Sequence, residues 1–204
     1  MAEPSPELDE VLETLKKSAA ALRDAGIPYM LGGGVAAWAR GGPESVHDVD
    51  LMIKPEDAEA ALSALEDAGL RPENPPEEWL VKAWDGHVLV DLIFQPRCME
   101  IDDEALQRAE VMNVKSQEMP VMALEDVLST KLLALNERWL DYDQLLQIGR
   151  ACREQIDWEE VRRRTAESPF ARAFFEIVDG LGISGPAAGA GASPSGTRGP
   201  TTER

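Results

Sequence analysis

Residues 79–84 and 87–94 are two apolar runs separated only by Asp85-Gly86. That dipeptide is a strong hairpin signal, because the primed two-residue turns it favours have a twist matching that of the strands they join. The two runs are therefore predicted to pair antiparallel. A lone hairpin is marginal in water and needs more strands or a helix against it. The rest of the chain provides both.

Ser5-Pro6-Glu7 reads as a helix start with Ser5 as N-cap, followed by Leu8, Val11, Leu12, Leu15 and Leu22 on one face until Gly26 and Pro28 stop it. Residues 29–32 form a short strand. The small-residue run from Gly33 to Trp38 is a tight turn opening into a helix that ends near Gly41-Gly42-Pro43. Residues 47–53 alternate, with Val49, Leu51 and Ile53 on one face and Asp48 and Asp50 on the other, which describes a half-buried strand with an acidic side. An amphipathic helix follows from Pro55 to a stop at Gly69, and the proline-rich residues 72–76 read as a loop.

Beyond the hairpin, a helix at 103–109 and strands at 111–114 and 120–122 complete the sheet, with Pro120 placing the last strand at an edge. From Ala123 the pattern is helical, over 124–138, 142–153 and 158–165, with a last apolar segment near Leu181. The predicted fold class is α+β: a mixed β-sheet core over residues 1–122 flanked by helices, a C-terminal helical cap over 123–183, and a disordered tail over 184–204.

The chain has 204 residues, enough for one full-sized domain with a small helical appendage. Twenty Lys and Arg against thirty-eight Asp and Glu give a net charge of −18. That balance argues against a broad basic face for nucleic acid. The tail's Arg198, Glu203 and Arg204 sum to +1, so the remainder carries −19. Cys98 and Cys152 are far apart and belong to no Cys/His cluster, which excludes a zinc site of the usual spacing and implies no disulfide framework. Residues 1–10 are acidic where a secretory signal is basic, and no apolar run is long enough to span a bilayer, so a cytoplasmic protein is the default expectation.

Asp48 and Asp50 leave one face of their strand two positions apart, close enough to share a cation or bridge two. Asp91 is the single charge in 88–93, a run otherwise apolar on both sides. A lone buried carboxylate is costly. If its strand neighbours the first, Asp91 completes a three-carboxylate cluster and a metal offsets the burial; otherwise these acids are solvent-facing or paired with an arginine. The turn at Gly33-Gly34 offers free backbone N–H groups for a polyphosphate. Lys131 interrupts the apolar stripe Leu124, Val127, Leu128, Leu132, Leu135, and its ammonium either snorkels to water or points into a cleft. His87 shares the strand parity of Asp91, whereas His47 lies opposite the acids; Arg162-Arg163-Arg164 reads as a solvated helix face.

The order Gly33-Gly34, Asp48-Val49-Asp50, Asp91 resembles the nucleotidyltransferase superfamily with a DNA polymerase β-like fold. Leu31-Gly32-Gly33-Gly34-Val35-Ala36, His47-Asp48-Val49-Asp50-Leu51 and the stretch from Glu125 to Leu135 are similar to its small bacterial branch, which includes the AbiEii-type toxins. The likeness covers roughly residues 29–146. Glu44 and Val46 stand where that branch usually has Arg and Thr, and Leu140-Asp141-Tyr142-Asp143-Gln144-Leu145 matches its Lys-Asp-x-x-Asp-Leu in part.

The resemblance implies transfer of a nucleoside monophosphate from an NTP to a hydroxyl. Asp48, Asp50 and Asp91 would bind two Mg²⁺ ions, Asp91 would take the acceptor's proton, and Gly33, Gly34 and Lys131 would face the triphosphate. The acidity favours a cationic small molecule, such as an aminoglycoside-like amine, over tRNA as acceptor. The alternatives are an inactive nucleotidyltransferase-like binding module, a toxin–antitoxin component with a protein antitoxin as partner, and a metal-dependent phosphohydrolase. The last is disfavoured because only two histidines exist.

Overall fold

A computed structural model describes residues 7–45, 47–73, 75–96 and 99–185. The first helix, α1 (Leu8–Asp24), begins later than Ser5: its N-cap is Glu7, whose N–H donates to Glu10 Oε2 at 2.8 Å. Residues 1–6, which include the expected cap, lie outside the described residues. Val11, Leu12, Leu15, Ala19 and Leu22 are all buried, so the 3.6-residue periodicity does set its inner face. The helix ends in a Schellman arrangement, with Gly26 at φ 71°, its N–H on Arg23 O, and the N–H of Ile27 on Leu22 O.

One mixed sheet holds seven strands: β1 (Tyr29–Leu31), β2 (Asp48–Ile53), β3 (Arg71–Glu73), β4 (Leu80–Asp85), β5 (Val88–Ile93), β6 (Glu110–Val114) and β7 (Gln117–Val121). Their order is β3-β4-β5-β2-β1-β7-β6. The predicted hairpin is β4–β5, but its register pairs Asp85 with Val88. The two turn residues are therefore Gly86-His87 rather than Asp85-Gly86, and Gly86 takes φ 62° at the first turn position. Asp85 is drawn into the strand end, where Thr14 donates to it at 3.2 Å and Lys17 at 2.7 Å.

Two other expectations at the sheet margins are corrected. Pro72 is not in a loop, because β3 pairs with β4 and Pro72 lies opposite Ala83 on an outer strand that spares its missing donor. Pro120 is not on the edge, since β7 lies between β1 and β6. The Met122 N–H bonds Leu31 O, so the Pro120 nitrogen two residues earlier faces the same side, towards β1. The β1–β7 ladder is correspondingly reduced to the single pair Leu31↔Val121.

Between β1 and β2 runs α2 (Gly33–Ala39). A 3-10 turn (Pro55–Asp57), α3 (Ala58–Asp67), β3 and β4 connect β2 to its parallel neighbour β5. Helix α1 packs on α3, β2 and β5, and α2 packs on β2 and on α5 (Leu124–Ala134). A short α4 (Asp103–Gln107) precedes β6; α6 (Asp143–Cys152), α7 (Trp158–Arg164) and α8 (Pro169–Gly180) follow α5. The α+β fold class is as expected. Helix α5 stops at Ala134 instead of continuing to 138, because the chain turns back in a bridge between Asn136 and Trp139. Most of the expected tail, 186–204, lies outside the described residues. Among the described residues, no helix is long and apolar enough to cross a membrane.

Candidate active site

Parallel pairing of β2 with β5 sets Asp50 directly beside Asp91 and Asp48 beside Leu89. Because side chains alternate along a strand, Asp48, Asp50 and Asp91 leave the same face of the sheet. One carboxylate oxygen from each lies within 4.8 Å of the others. Val49, Leu51 and Ile53 point the other way and are fully buried, so a slip of one residue would exchange acids for core.

Helix α2 starts against this cluster. Gly33 has φ 58°, and a Cβ there would fall inside the Asp50 Oδ2 atom. Only glycine fits at this point, for backbone conformation and for space. At Gly34 a Cβ would overlap the buried Ser45 hydroxyl. The Gly32 N–H is tied to Asp50 O at 2.8 Å, and the first bond within α2 is Ala36 N to Gly32 O. The N–H groups of Gly33 and Gly34 thus belong to a first turn that leaves donors without helical partners.

Lysines approach the acids from two directions. Lys82, opposite Asp91 on β4, places Nζ 3.0 Å from Asp91 Oδ1. Lys131 on α5 donates to Gln144 Oε1 at 2.9 Å and shares with Gly33 and Asp50 a cleft of about 340 Å³. Met52, Trp79, Ile93, Pro96 and Ala134 add apolar lining to the cleft. These cations do not cancel the crowding. Burial, then the Asp48 charge, pushes the Asp50 carboxyl up to about 7 against the pull of Lys131 and Lys82, with Asp91 adding to the rise. Burial likewise raises Asp91, although the hydrogen bond from Lys82 lowers it.

The model of a family described as uncharacterised nucleotidyltransferase matches residues 9–179. The chain belongs to this nucleotidyltransferase family. No curated protein matches it in sequence. Among solved structures, ANT(2″)-Ia in complex with adenylyl-2″-tobramycin is similar with a TM-score of 0.59 at 20% identity, over 81% of this chain and 97% of that one. A solution structure of ANT(2″)-Ia gives 0.58 at 18%, over 84% and 96%. An antigenic nucleotidyltransferase-like protein from Paracoccidioides brasiliensis gives 0.51 at 17%, over 86% and 92%. At these identities the shared property is the fold.

Several residues weighed from the sequence of this nucleotidyltransferase lie elsewhere. His87 sits in the hairpin turn, with Nε2 3.1 Å from Glu10 Oε2, and His47 is exposed. Arg162, Arg163 and Arg164 are engaged with Asp179, Glu160 and Asp126. Asp141 accepts the Asp143 N–H at 3.0 Å, and Gln144 Oε1 accepts from Lys131. Glu44 is exposed, and Val46 lies outside the described residues. Lys82 and Gln144 are the partners that sequence reading missed. Counting back from the expected Asp85-Gly86 turn sets Leu80 opposite Asp91, and only the observed Gly86-His87 turn brings Lys82 there.

Proposed function

We propose that this chain is a divalent-metal-dependent enzyme that transfers a nucleoside monophosphate from an NTP to a hydroxyl of a small-molecule acceptor. The observation that carries this reading is the convergence of Asp48, Asp50 and Asp91 within 4.8 Å, beside Gly33, with Asp50 lining the same cleft as Lys131. The donor set is all oxygen, anionic and only partly matched by lysine, which suits a hard cation such as Mg²⁺. Those three residues would hold it, and a pair of such ions would supply charge neutralisation at the triphosphate and acidify the attacking hydroxyl.

The chain's own groups account for the rest of the transfer. The acceptor oxygen forms a bond to the α-phosphorus, the bond to the bridging oxygen breaks, and pyrophosphate leaves. The hydroxyl proton passes to Asp91, whose burial raises its affinity for a proton. The N–H groups of Gly33 and Gly34 and the Lys131 ammonium face the negative charge that builds on the departing pyrophosphate. Met52, Trp79 and Ile93 give the cleft an apolar lining beside the reacting atoms.

A small-molecule acceptor is favoured by the net charge of −18 and by the engagement of Arg162, Arg163 and Arg164 in ion pairs within the chain. The likeness in fold to ANT(2″)-Ia, whose complex contains an adenylylated tobramycin, supports the same choice. The AbiEii-like branch is proposed on the stretches 31–36, 47–51 and 125–135, and the site of action we assign is the cytoplasm. The Lys82–Asp91 ion pair favours a second reading, in which the fold binds nucleotide without turning it over.

The deciding experiment incubates the protein with each α-labelled NTP, Mg²⁺ and either a panel of aminoglycosides or total RNA. Label on an aminoglycoside is the expected result. Label on RNA overturns the acceptor assignment, and NTP binding without transfer establishes the second reading.

A further inference from the structure

Lys82 is the feature the proposed chemistry leaves over. Its side chain is 19% exposed, and among the described residues Asp91 is its one ion-pair partner, itself 11% exposed. The contact is fixed by the sheet, since Lys82 and Asp91 are directly opposed in the β4–β5 ladder. Resting on the reading of the three acids as a metal site, we propose that Lys82 is a resident counter-ion that competes with divalent metal for Asp91, so that metal loads together with the nucleotide and not before it.

Charge balance gives the reason. Counted fully ionised, as metal ligands must be, three carboxylates with Lys82 and Lys131 leave a single net negative charge. Two divalent cations entering alone would make the site strongly positive, and in a partly buried site that excess is poorly screened. With a fully ionised triphosphate the balance returns to one negative charge, and Lys82 gains phosphate oxygens to replace Asp91. Binding of metal and nucleotide is thereby coupled through one side chain, each raising the affinity for the other.

The test is Mn²⁺ binding to the full chain by titration calorimetry, with and without a non-hydrolysable NTP analogue. Lys82→Met is expected to bind Mn²⁺ alone about tenfold more tightly than the wild type, and to lose most of the gain that the analogue gives the wild type. Lys82→Arg should behave as wild type, and Asp91→Asn should abolish the difference between lysine and methionine at 82. If Lys82→Met melts too early to titrate, Lys82→Gln serves, with melting followed in chelator and in Mn²⁺. Equal Mn²⁺ affinity in the wild type and Lys82→Met overturns the role of Lys82 alone. Absence of Mn²⁺ binding in every protein, analogue present or not, overturns the metal site itself.

Discussion

Two buried acidic centres in this molecule are built on opposite rules. Asp126 on α5 is 2% exposed and is held by guanidinium groups: Arg164 of α7 bonds Oδ1, and Arg108 Nε lies 3.7 Å from Oδ2. Arg164 also reaches Glu160 at 2.6 Å, so the cluster ties α7 to α5. Asp48, Asp50 and Asp91 instead face one another, with one lysine bonded to Asp91 and another at a distance. Planar, forked donors matched to a carboxylate make an anchor. Carboxylates crowded against each other store repulsion that a bound cation or a proton relieves, the arrangement expected of the proposed metal site.

The largest expected effect separates the two centres. Asp50→Asn should lower transfer at least about a thousandfold, the loss of about 4 kcal/mol of transition-state stabilisation. In chelator the same variant should be more stable than wild type by about 1 kcal/mol, because a repelling charge is gone; a calorimetric scan that shows it less stable would make Asp50 structural. Next, Gly33→Ala forces a side chain into the left-handed region and onto the Asp50 carboxylate. We expect about a hundredfold loss in kcat, with a smaller drop in melting temperature.

The anchor should respond in the reverse sense. Asp126→Ala is expected to cost about 2 kcal/mol in urea unfolding, less than the full penalty for a broken buried pair because both arginines reach water. Its kcat per folded molecule should stay within about twofold of wild type. The smallest effect concerns Glu160, whose hydrogen bonds from Arg163 and then Arg164 hold its carboxyl down at about 2, below the ordinary 4.5. A depressed acid contributes stability above its unfolded value and loses it as pH falls through the folded one. Stability from this pair should thus persist at pH 5 and fade towards pH 2, read as the Glu160 carboxyl shift in an NMR titration.

The acids were legible because they break patterns: two carboxylates on one face of an alternating strand, and one in an otherwise apolar run. The glycine turn was legible as a run of small residues, although the reason for Gly33, its contact with Asp50, needs the β1–β2 neighbourhood. Lys82 was not singled out because a lysine among Leu80, Val81 and Ala83 looks like a solvent-facing strand residue, and nothing local marks what lies across the ladder. Asp126 was equally silent, since an acid in the first turn of a helix is ordinary and its arginines come from 18 and 38 residues away. The margins misled for local reasons: Pro72 and Pro120 signal missing donors, but only the neighbouring strand decides whether a donor was needed there.

The parallel pairing of β2 with β5 has a consequence for how the molecule comes to life. The acids at 48 and 50 meet the one at 91 only after the whole crossover through α3, β3 and β4 has been threaded into place. No shorter fragment that stops before β5 carries the cluster. Because distant pairings of this kind are slow steps in folding, the metal affinity proposed for the cluster should arise only as the sheet is completed.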